Sequence, residues 1–276
     1  YEIGVRLVGS EMCIRDRSQT VLITGASNGI GKACARVFAR KGYDLVLVAR
    51  HREKLEAVKA ELSEYDVQIK VIAMDLTGED AAVDLYNNLV LDDISIDILV
   101  NNAGFGDHGA FHDSSWEKQK KMVLLNIVAL MQMTYVFGQS MKRRKKGRIL
   151  NVASIAGLCA GPYMSTYYAT KAFVLSFSES IDYELKDYNV EVSCLCPGPT
   201  KTGFMDVANL GQSPMFKLFK PQSAEAVAEI GIQGLFDNRL VQFTGISGYL
   251  LNIAARFLPR SFLSSCTGFV NGKRKV

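Results

Sequence analysis

The chain has 276 residues, 48% of them hydrophobic and 22% charged, a composition typical of a single globular α/β domain. The formal net charge is only +4 and basic residues are mixed with acids, so a nucleic-acid-binding role is not expected. The chain has no run of about 18 uncharged apolar residues, so we expect no transmembrane span. The six cysteines lack zinc-type spacing, which indicates free thiols in a cytoplasmic protein and no metal site.

The first 17 residues differ in pattern from the rest of the chain. The segment Val8–Arg17, VGSEMCIRDR, resembles translated sequencing-adapter DNA. It also lacks the apolar core and the small-residue cleavage site of a signal peptide. We therefore expect residues 1–17 to be a non-native or disordered leader and residues 18–276 to form one domain.

From Thr20 onward, apolar runs of strand length alternate with stretches of helical periodicity. The predicted strands are Thr20–Thr24, Asp44–Ala49, Gln68–Met74, Ile96–Val100, Arg148–Ala153, Val190–Leu195 and Leu240–Phe243. The predicted helices are Gly29–Arg40, Arg52 to about Leu62, Glu79–Leu91, about Trp116–Met141, about Thr166–Lys186, Ala224–Phe236 and Gly248–Phe257. Strands this apolar need helices on both faces, which predicts a doubly wound parallel sheet of Rossmann type in a three-layer α/β/α domain.

A glycine-rich turn, TGASNGIG, joins the first predicted strand to the first predicted helix. Glycines in such a turn let the backbone approach a pyrophosphate, which the helix N-terminus then attracts. A purely structural turn is the alternative interpretation. The residues of this turn expected to contact a dinucleotide are Gly25, Ser27, Asn28, Gly29, Ile30 and Gly31.

The end of the second predicted strand indicates which dinucleotide binds. NAD enzymes usually place an acid near this position to hold the ribose hydroxyls, but this chain has Arg50. A guanidinium there can hold a 2′-phosphate, so we expect NADP(H), although a solvated helix start is the alternative. Asp75 can accept a hydrogen bond from the adenine amino group, or it can begin a turn. Further expected cofactor contacts are Leu76, Asn102, Ala103 and Gly104.

Tyr167 and Lys171 stand four residues apart in a predicted helix and therefore share one face. A tyrosine with a pKa of about 10 is a poor acid–base group at neutral pH, and a nearby ammonium group lowers that pKa. The Y-x-x-x-K spacing alone is common. Its position after Ser154, which follows a predicted strand, makes it a stronger indication of a catalytic pair.

Taken together in order, these motifs resemble those of the short-chain dehydrogenase/reductase family from Thr20 to about Thr202. The matching features are TGASNGIG, NNAG at Asn101–Gly104, Asn126, Ser154, YxxxK at Tyr167–Lys171, and PGPTKT at Pro197–Thr202. The segment after Thr202 is more similar to the ketoacyl- or steroid-reductase-like branch of the family. The resemblance implies an NADP(H)-dependent oxidoreductase that interconverts a carbonyl and a secondary alcohol, and a homodimer or homotetramer.

The resemblance also implies roles for particular residues. Tyr167 exchanges a proton with the substrate oxygen, and Ser154 hydrogen-bonds that oxygen. Lys171 holds the nicotinamide ribose and lowers the pKa of Tyr167, while Asn126 anchors a water linked to Lys171. The cofactor contacts implied in the PGPTKT segment are Pro197, Gly198, Thr200 and Thr202.

An irregular stretch at about 203–221 is dense in apolar residues and is predicted to form a lid over the substrate. It could instead cover the core of the protein. The residues expected to form an apolar substrate pocket are Phe105, Ala156, Tyr163, Phe204 and Met205. This pocket favours a bulky hydrophobic ketone or a long-chain 3-oxoacyl thioester as substrate. We expect the three histidines at the surface or at the pocket rim.

Two other functions remain open at this stage. One is a non-catalytic, nucleotide-binding regulator on the same fold, since a fold alone does not fix a function. The other is a membrane-surface protein whose apolar C-terminal segment makes peripheral membrane contact. The presence of Asn126, Ser154, Tyr167 and Lys171 together favours the enzyme, because a protein that only binds the nucleotide does not need all four.

Overall fold

The centre of the molecule is a sheet of seven parallel strands. They are Thr20–Thr24 (β1), Asp44–Ala49 (β2), Ile69–Ala73 (β3), Ile98–Asn101 (β4), Gly147–Val152 (β5), Val190–Cys196 (β6) and Val241–Phe243 (β9). Their order across the sheet is β3–β2–β1–β4–β5–β6–β9. A separate parallel pair joins Thr200–Lys201 (β7) to Gln222–Ser223 (β8). The prediction of seven strands in a parallel sheet is confirmed.

Helices cover both faces of this sheet. They are Gly29–Arg40 (α1), Arg52–Glu61 (α2), Ala81–Leu91 (α3), Trp116–Val123 (α4), Leu130–Arg144 (α5), Ser165–Leu185 (α6), Ala224–Phe236 (α7), Ile246–Phe257 (α8) and Arg260–Asn271 (α9). This computed structural model describes residues 19–204, 208 and 221–272. The expectations for residues 1–17, for Met205 and for most of the lid segment therefore lie outside the described residues.

The alternation of side chains along β1 shows why the domain has three layers. Val21 and Ile23 belong to one hydrophobic core, which also includes Phe38 of α1. Leu22 lies between them in the chain and belongs to the other core, which includes Phe137 of α5. Successive side chains of a strand point to opposite faces, so a strand that is apolar at every position must be covered on both sides. The doubly wound, single-domain prediction is confirmed.

The long helical stretch after β4 contains a change of helix type. Between α4 and α5 the segment Leu124–Ala129 forms a π-helix, and Asn126 lies within it. By length and hydropathy, the combined stretch Trp116–Arg144 meets the criteria for a membrane span, with a mean hydropathy of 1.4 over its most apolar window. Met133 and Met141 are nevertheless fully buried in the core of the domain, so we interpret this stretch as a core helix.

The C-terminal end is more helical than predicted. Helix α8 corresponds to the predicted helix at Gly248–Phe257, but α9 was not predicted. Helix α8 ends at Phe257, and Pro259 follows its C-cap residue Leu258. Pro259 then serves as the N-cap residue of α9, which begins at Arg260. Proline suits a helix start because it has no backbone N–H that would need a partner there.

Candidate active site

A cavity of about 670 Å³ lies at the carboxyl end of the sheet. From β1 the chain adds β2 and β3 on one side of the sheet, and it then continues with β4 on the other side of β1. Such a switch point between β1 and β4 opens a crevice in which doubly wound proteins bind ligands. The cavity continues from this crevice past the ends of β4 and β5 to α8 and α9. The expected cofactor residues that line it are Gly25, Ser27, Asn28, Gly29, Ile30, Arg50, Asp75, Leu76, Asn102, Ala103, Gly104, Tyr167, Lys171, Pro197, Gly198, Thr200 and Thr202.

The glycine turn is packed against the end of β4 by direct hydrogen bonds. The hydroxyl oxygen of Thr24 accepts from the backbone N–H groups of Asn102 and Ala103, each at 3.0 Å. The side-chain amide of Asn102 donates to the carbonyl oxygen of Thr24 at 2.9 Å. Gly25 has a φ of +65°, a conformation that favours glycine. These contacts fix the turn at the floor of the crevice.

Gly31 supports the turn from behind and does not line the cavity. A Cβ atom at this position would lie 2.3 Å from the carbonyl oxygen of Gly25 and 2.5 Å from the side-chain nitrogen of Asn102. Only a glycine therefore lets α1 approach the turn this closely. The sequence predicted a cofactor contact at Gly31, and the structure assigns it a packing role one layer beneath the cofactor crevice.

The N-terminus of α1 faces the crevice and is suited to a phosphate. Asn28 caps the helix by accepting from the N–H of Gly29 at 2.7 Å, and the first turn contains no acidic residue. The unpaired N–H groups of a helix start carry partial positive charge that attracts anions. Together with the glycine turn, which leaves backbone uncovered by side chains, this geometry fits the pyrophosphate of a dinucleotide.

The adenine end of the crevice contains cations and one carboxylate. Arg50 is exposed there and lines the cavity with Lys121. Asp75 accepts from the N–H of Thr77 at 3.0 Å and from its hydroxyl at 2.9 Å, so it does begin a turn. Burial works against the charged form of Asp75, but the Thr77 hydrogen bonds and the positive charges of Arg50 and Lys121 hold its pKa below the usual value. The arrangement leaves Arg50 available for a 2′-phosphate.

Tyr167 and Ser154 meet at the middle of the cavity. Both residues line the cavity, and the Ser154 hydroxyl accepts from the N–H of Ala156 at 3.1 Å and donates to the Pro197 carbonyl oxygen at 3.4 Å. Tyr167 is half-buried and lines the cavity. Burial raises the pKa of Tyr167, and the hydrogen bond with Ser154 lowers it by less. The phenol is therefore protonated at neutral pH.

Lys171 lies one helical turn beyond Tyr167 and is buried. Its Nζ atom donates to the carbonyl oxygen of Val152 at 2.7 Å and is 5.9 Å from the centroid of the Tyr167 ring. Loss of hydration lowers the pKa of Lys171 to about 8. Burial outweighs the other influences on the pKa of Tyr167, and the Lys171 ammonium group is directed to the Val152 carbonyl. The lowering of the Tyr167 pKa by Lys171 stays a prediction.

Asn126 connects the loop after β4 to α6. Its side-chain oxygen accepts from the N–H of Phe105 at 3.1 Å, and its nitrogen donates to the Phe105 carbonyl at 2.9 Å and to the Thr170 hydroxyl at 3.1 Å. Asn126 is buried and does not line the cavity. The structure thus gives it a positioning role: it holds the residue that precedes Lys171. The π-helix turns Asn126 toward these partners, and π-helical turns are frequent at functional sites.

The other end of the cavity is apolar. Phe105, Ala156 and Phe204 line it, as predicted from the sequence, and the Phe204 ring centroid lies 5.2 Å from that of Tyr167. Tyr163 does not line it. The backbone at Tyr163 has a φ of +67°, and the ring lies near His108, outside the cavity. The neighbouring Met164 lines the cavity in its place.

Helices α8 and α9 supply the part of the wall that the sequence did not reveal. The lining residues from these helices are Ser247, Leu251, Leu263, Cys266, Thr267 and Val270. Since α9 was not predicted, its residues could not be assigned to the pocket. A helix pattern in Arg260–Asn271, with Leu263 and Val270 seven residues apart, was the available signal.

His108 is buried and is not at the surface or rim, which corrects the expectation for this residue. Its Nε2 atom lies 3.1 Å from the carbonyl oxygen of Asn271, at the end of α9. The Tyr168 hydroxyl donates to the Asn271 side-chain oxygen at 3.2 Å, and the Asn271 amide donates to the Pro162 carbonyl at 2.9 Å. These bonds hold α9 across the cavity.

A phosphate-binding turn at the switch point of a parallel sheet, followed by a buried Ser–Tyr–Lys group, defines the class of nicotinamide-dinucleotide oxidoreductases. Comparison with known families agrees: the short chain dehydrogenase model matches residues 19–213. The chain belongs to this family and is an NADP(H)-dependent oxidoreductase that interconverts carbonyls and alcohols. A regulator without catalysis is not favoured by this assembly of groups.

Relatives in this family support the ketoacyl- and steroid-reductase-like resemblance. The chain is 36% identical over 187 residues to a very-long-chain 3-oxoacyl-CoA reductase of Phaeosphaeria nodorum, covering 65% of this chain and 54% of that protein. It is 36% identical over 192 residues to 17-beta-hydroxysteroid dehydrogenase type 3 of Mus musculus, covering 67% of this chain and 61% of that protein. The chain thus spans little more than half the length of these two relatives.

Solved structures show the same fold over nearly the whole chain. A short-chain dehydrogenase from Sphingobium yanoikuyae in complex with NADPH is 31% identical, with a TM-score of 0.77, covering 94% of this chain and 97% of that one. A bulky-bulky ketone specific alcohol dehydrogenase from Comamonas testosteroni is 30% identical, with a TM-score of 0.73, covering 90% and 94%. The NADPH complex supports the cofactor expected from Arg50.

The packing of Gly31 gives a testable expectation for cofactor binding. Gly31→Ala places a Cβ against the Gly25 carbonyl oxygen and the Asn102 side-chain nitrogen, so α1 must move away from the turn. We expect NADPH affinity, measured by fluorescence titration, to fall by roughly tenfold or more, about 1.4 kcal/mol. Gly78→Ala is the control, since its Cβ would make only ordinary contacts at 3.7 and 3.8 Å. Equal affinities of the two variants would contradict the packing role.

Proposed function

We propose that this protein uses NADPH to reduce bulky apolar ketones or long-chain 3-oxoacyl thioesters, with Tyr167 as the proton donor. The observation that carries the proposal is the wall beyond Tyr167, formed by Phe204 and by α8 and α9. These helices contribute Leu251, Leu263 and Val270 to the described lining, and their other lining residues are uncharged. Lys118 reaches the cavity from α4, but it is paired with Asp107 at 2.6 Å. That pairing leaves it less available to hold a substrate carboxylate.

The proton for the reduction comes from the Ser154–Tyr167 pair in this proposal. A carbonyl oxygen beside both hydroxyl groups accepts two hydrogen bonds, and the oxygen becomes more basic as the carbon is reduced. Tyr167 then gives up its proton to that oxygen. Because burial raises the pKa of Tyr167, the phenol holds this proton until the substrate oxygen needs it.

The remaining groups bind and orient. The glycine turn and the α1 N-terminus would hold the pyrophosphate, Arg50 the 2′-phosphate, and Lys171 the nicotinamide ribose. When bound, NADPH supplies the hydride for the carbonyl carbon. Asn126 keeps the loop after β4 and the start of α6 at a fixed spacing through Phe105 and Thr170, so the proton donor and the cofactor crevice stay aligned.

Names of related proteins support an apolar substrate. The solved alcohol dehydrogenase is described as specific for bulky-bulky ketones, and one relative is a very-long-chain 3-oxoacyl-CoA reductase.

We also propose a cytoplasmic homodimer or homotetramer. Exposed apolar side chains on α5 and α6, including Tyr135 and Tyr183, support an interface between subunits.

Removal of the phenolic hydroxyl tests the proton donor. Tyr167→Phe keeps the ring and its contact with Phe204 but removes the proton, so we expect kcat to fall by about 10²–10⁴ while NADPH affinity changes little. Tyr163→Phe is the control, because that ring lies outside the cavity. Steady-state NADPH oxidation measures the loss. A Tyr167→Phe enzyme that retains a tenth of the activity would show that another group supplies the proton.

Reversal of charge at Arg50 tests the choice of nucleotide. In Arg50→Asp the 2′-phosphate loses a cation and meets an anion, so the NADPH/NADH ratio of kcat/KM should fall about 10- to 150-fold, or about 1.5–3 kcal/mol. Arg52→Asp is the matched control: Arg52 is exposed, pairs with Glu56 and does not line the cavity. An unchanged ratio for Arg50→Asp would remove Arg50 from the phosphate site.

A series of ketones of increasing chain length tests the apolar wall. Each methylene group that enters the pocket should raise kcat/KM by up to about fourfold, the equivalent of about 0.8 kcal/mol. Leu263→Ser, on α9, should flatten this rise because it makes the wall polar at one buried position. A series in which short charged keto acids are preferred would contradict the proposed substrate class.

A further inference from the structure

The outer face of α8 carries an exposed apolar stripe. Ile246, Leu250, Ile253 and Phe257 follow one another at intervals of three or four residues, and Tyr249 is three residues after Ile246 and four before Ile253, so all five lie along one side of the helix. Their exposures run from 53% for Tyr249 to 81% for Phe257. An amphipathic helix of a globular protein normally turns such a stripe to the core, whereas α8 turns it to the outside.

The stripe continues onto the connection to α9 and onto α9 itself. Leu258 is 40% exposed, Phe262 is 54% exposed and Phe269 is 79% exposed. Phe262 and Phe269 are seven residues apart and lie on nearly the same side of α9. We call these eight residues of α8, the connection and α9 the C-terminal apolar surface.

The charged residues in the C-terminal part of the sequence have a single sign. Residues 246–276 contain five lysines and arginines and no aspartate or glutamate. Of these, Arg256 and Arg260 are exposed and flank Phe257 and Leu258 at the connection between the helices. The rest, Lys273, Arg274 and Lys275, follow α9 in the sequence. Aromatic and aliphatic side chains next to arginines and lysines are the pattern of a helix that lies on an anionic lipid surface.

The same two helices separate this surface from the cavity. Leu251 of α8 and Leu263 and Val270 of α9 line the cavity, while Leu250, Phe262 and Phe269 beside them in the sequence face outward. Each helix has 12 residues and is therefore about 18 Å long, too short to cross a hydrocarbon core of about 30 Å. Helices of this length and pattern lie in the plane of a membrane surface.

We propose that the C-terminal apolar surface docks onto an anionic lipid bilayer, where apolar substrates dissolved in the membrane reach the cavity between α8 and α9. The second part rests on the proposed function, whereas the docking does not. A second copy of this chain fits the surface less well. In a two-fold dimer the same patches face each other, so arginines would approach arginines with no acid in residues 246–276 to pair with them.

Co-sedimentation of the full chain with vesicles tests the docking. We expect the wild-type protein to bind vesicles with about 30% phosphatidylserine and to bind pure phosphatidylcholine vesicles more weakly. Raising the salt from about 0.1 M to about 0.5 M should weaken binding to the anionic vesicles, because it screens the arginines and lysines. No binding of the wild-type protein, or binding that is equal for the two vesicle types, would overturn the proposal.

Paired variants distinguish vesicle binding through this surface from nonspecific adsorption of the protein to vesicles. The double substitution Ile253→Glu with Phe257→Glu changes two exposed residues and should lower the partition onto anionic vesicles by roughly tenfold or more. Leu91→Glu is the matched control, since Leu91 is 84% exposed on α3 and should leave binding unchanged. Circular dichroism and NADPH affinity, both unchanged, establish that the double variant folds. Equal vesicle binding by both variants would overturn the proposal.

Two further measurements distinguish the competing explanations. If gel filtration shows that the wild-type protein forms an oligomer that the double variant loses, a second copy covers this surface and the proposal is overturned. The double variant should reduce a water-soluble ketone at the wild-type rate but reduce a ketone carried in anionic vesicles several-fold more slowly. Vesicle binding by a protein without reductase activity would leave the docking intact and contradict only the proposed function.

Discussion

The site depends on the close approach of three backbone segments in the crevice between β1 and β4. They are the glycine turn after β1, the end of β4 and the start of α1. The Thr24 hydroxyl accepts two N–H groups from the end of β4, and the Asn102 side chain donates back to the Thr24 carbonyl. Gly31 lets α1 close over this junction. Polar groups that would otherwise be buried without partners are satisfied by each other. The N-terminus of α1 and the cofactor crevice take their positions from this junction.

Burial has opposite consequences for the two titratable groups of the catalytic helix. Loss of hydration disfavours whichever form is charged, so it raises the pKa of Tyr167 and lowers the pKa of Lys171 to about 8. The phenol therefore keeps its proton, and the lysine holds its proton less firmly than a lysine in water. The Val152 carbonyl and the Asn126–Thr170 hydrogen bond keep Lys171 in place despite its burial.

Features that rest on local periodicity or on residue type were predictable from the sequence. Strands such as β1 are apolar at every position because both faces are buried, and glycines are required where a turn has a positive φ or a close approach. Features that depend on distant packing were not. The π-helix around Asn126, the outward turn of Tyr163 and the burial of His108 against Asn271 each follow from contacts between segments far apart in the chain. Helix α9 was missed because Pro259 can either end one helix or begin another.

Helices α8 and α9 line the cavity with one side and are exposed on the other, and the two sides explain their composition. Their inner side contributes Leu251, Leu263 and Val270 to the cavity lining, and hydrogen bonds from His108, Tyr168 and Asn271 tie the end of α9 to the domain. Solvent contact would favour polar residues on the outer side, yet Phe257 and Phe269 are about four-fifths exposed. Large apolar side chains in this position are stable when something apolar covers them, and the exposed Arg256 and Arg260 favour a negatively charged cover. One structural element can thereby form the wall of the substrate cavity and the surface through which the substrate arrives.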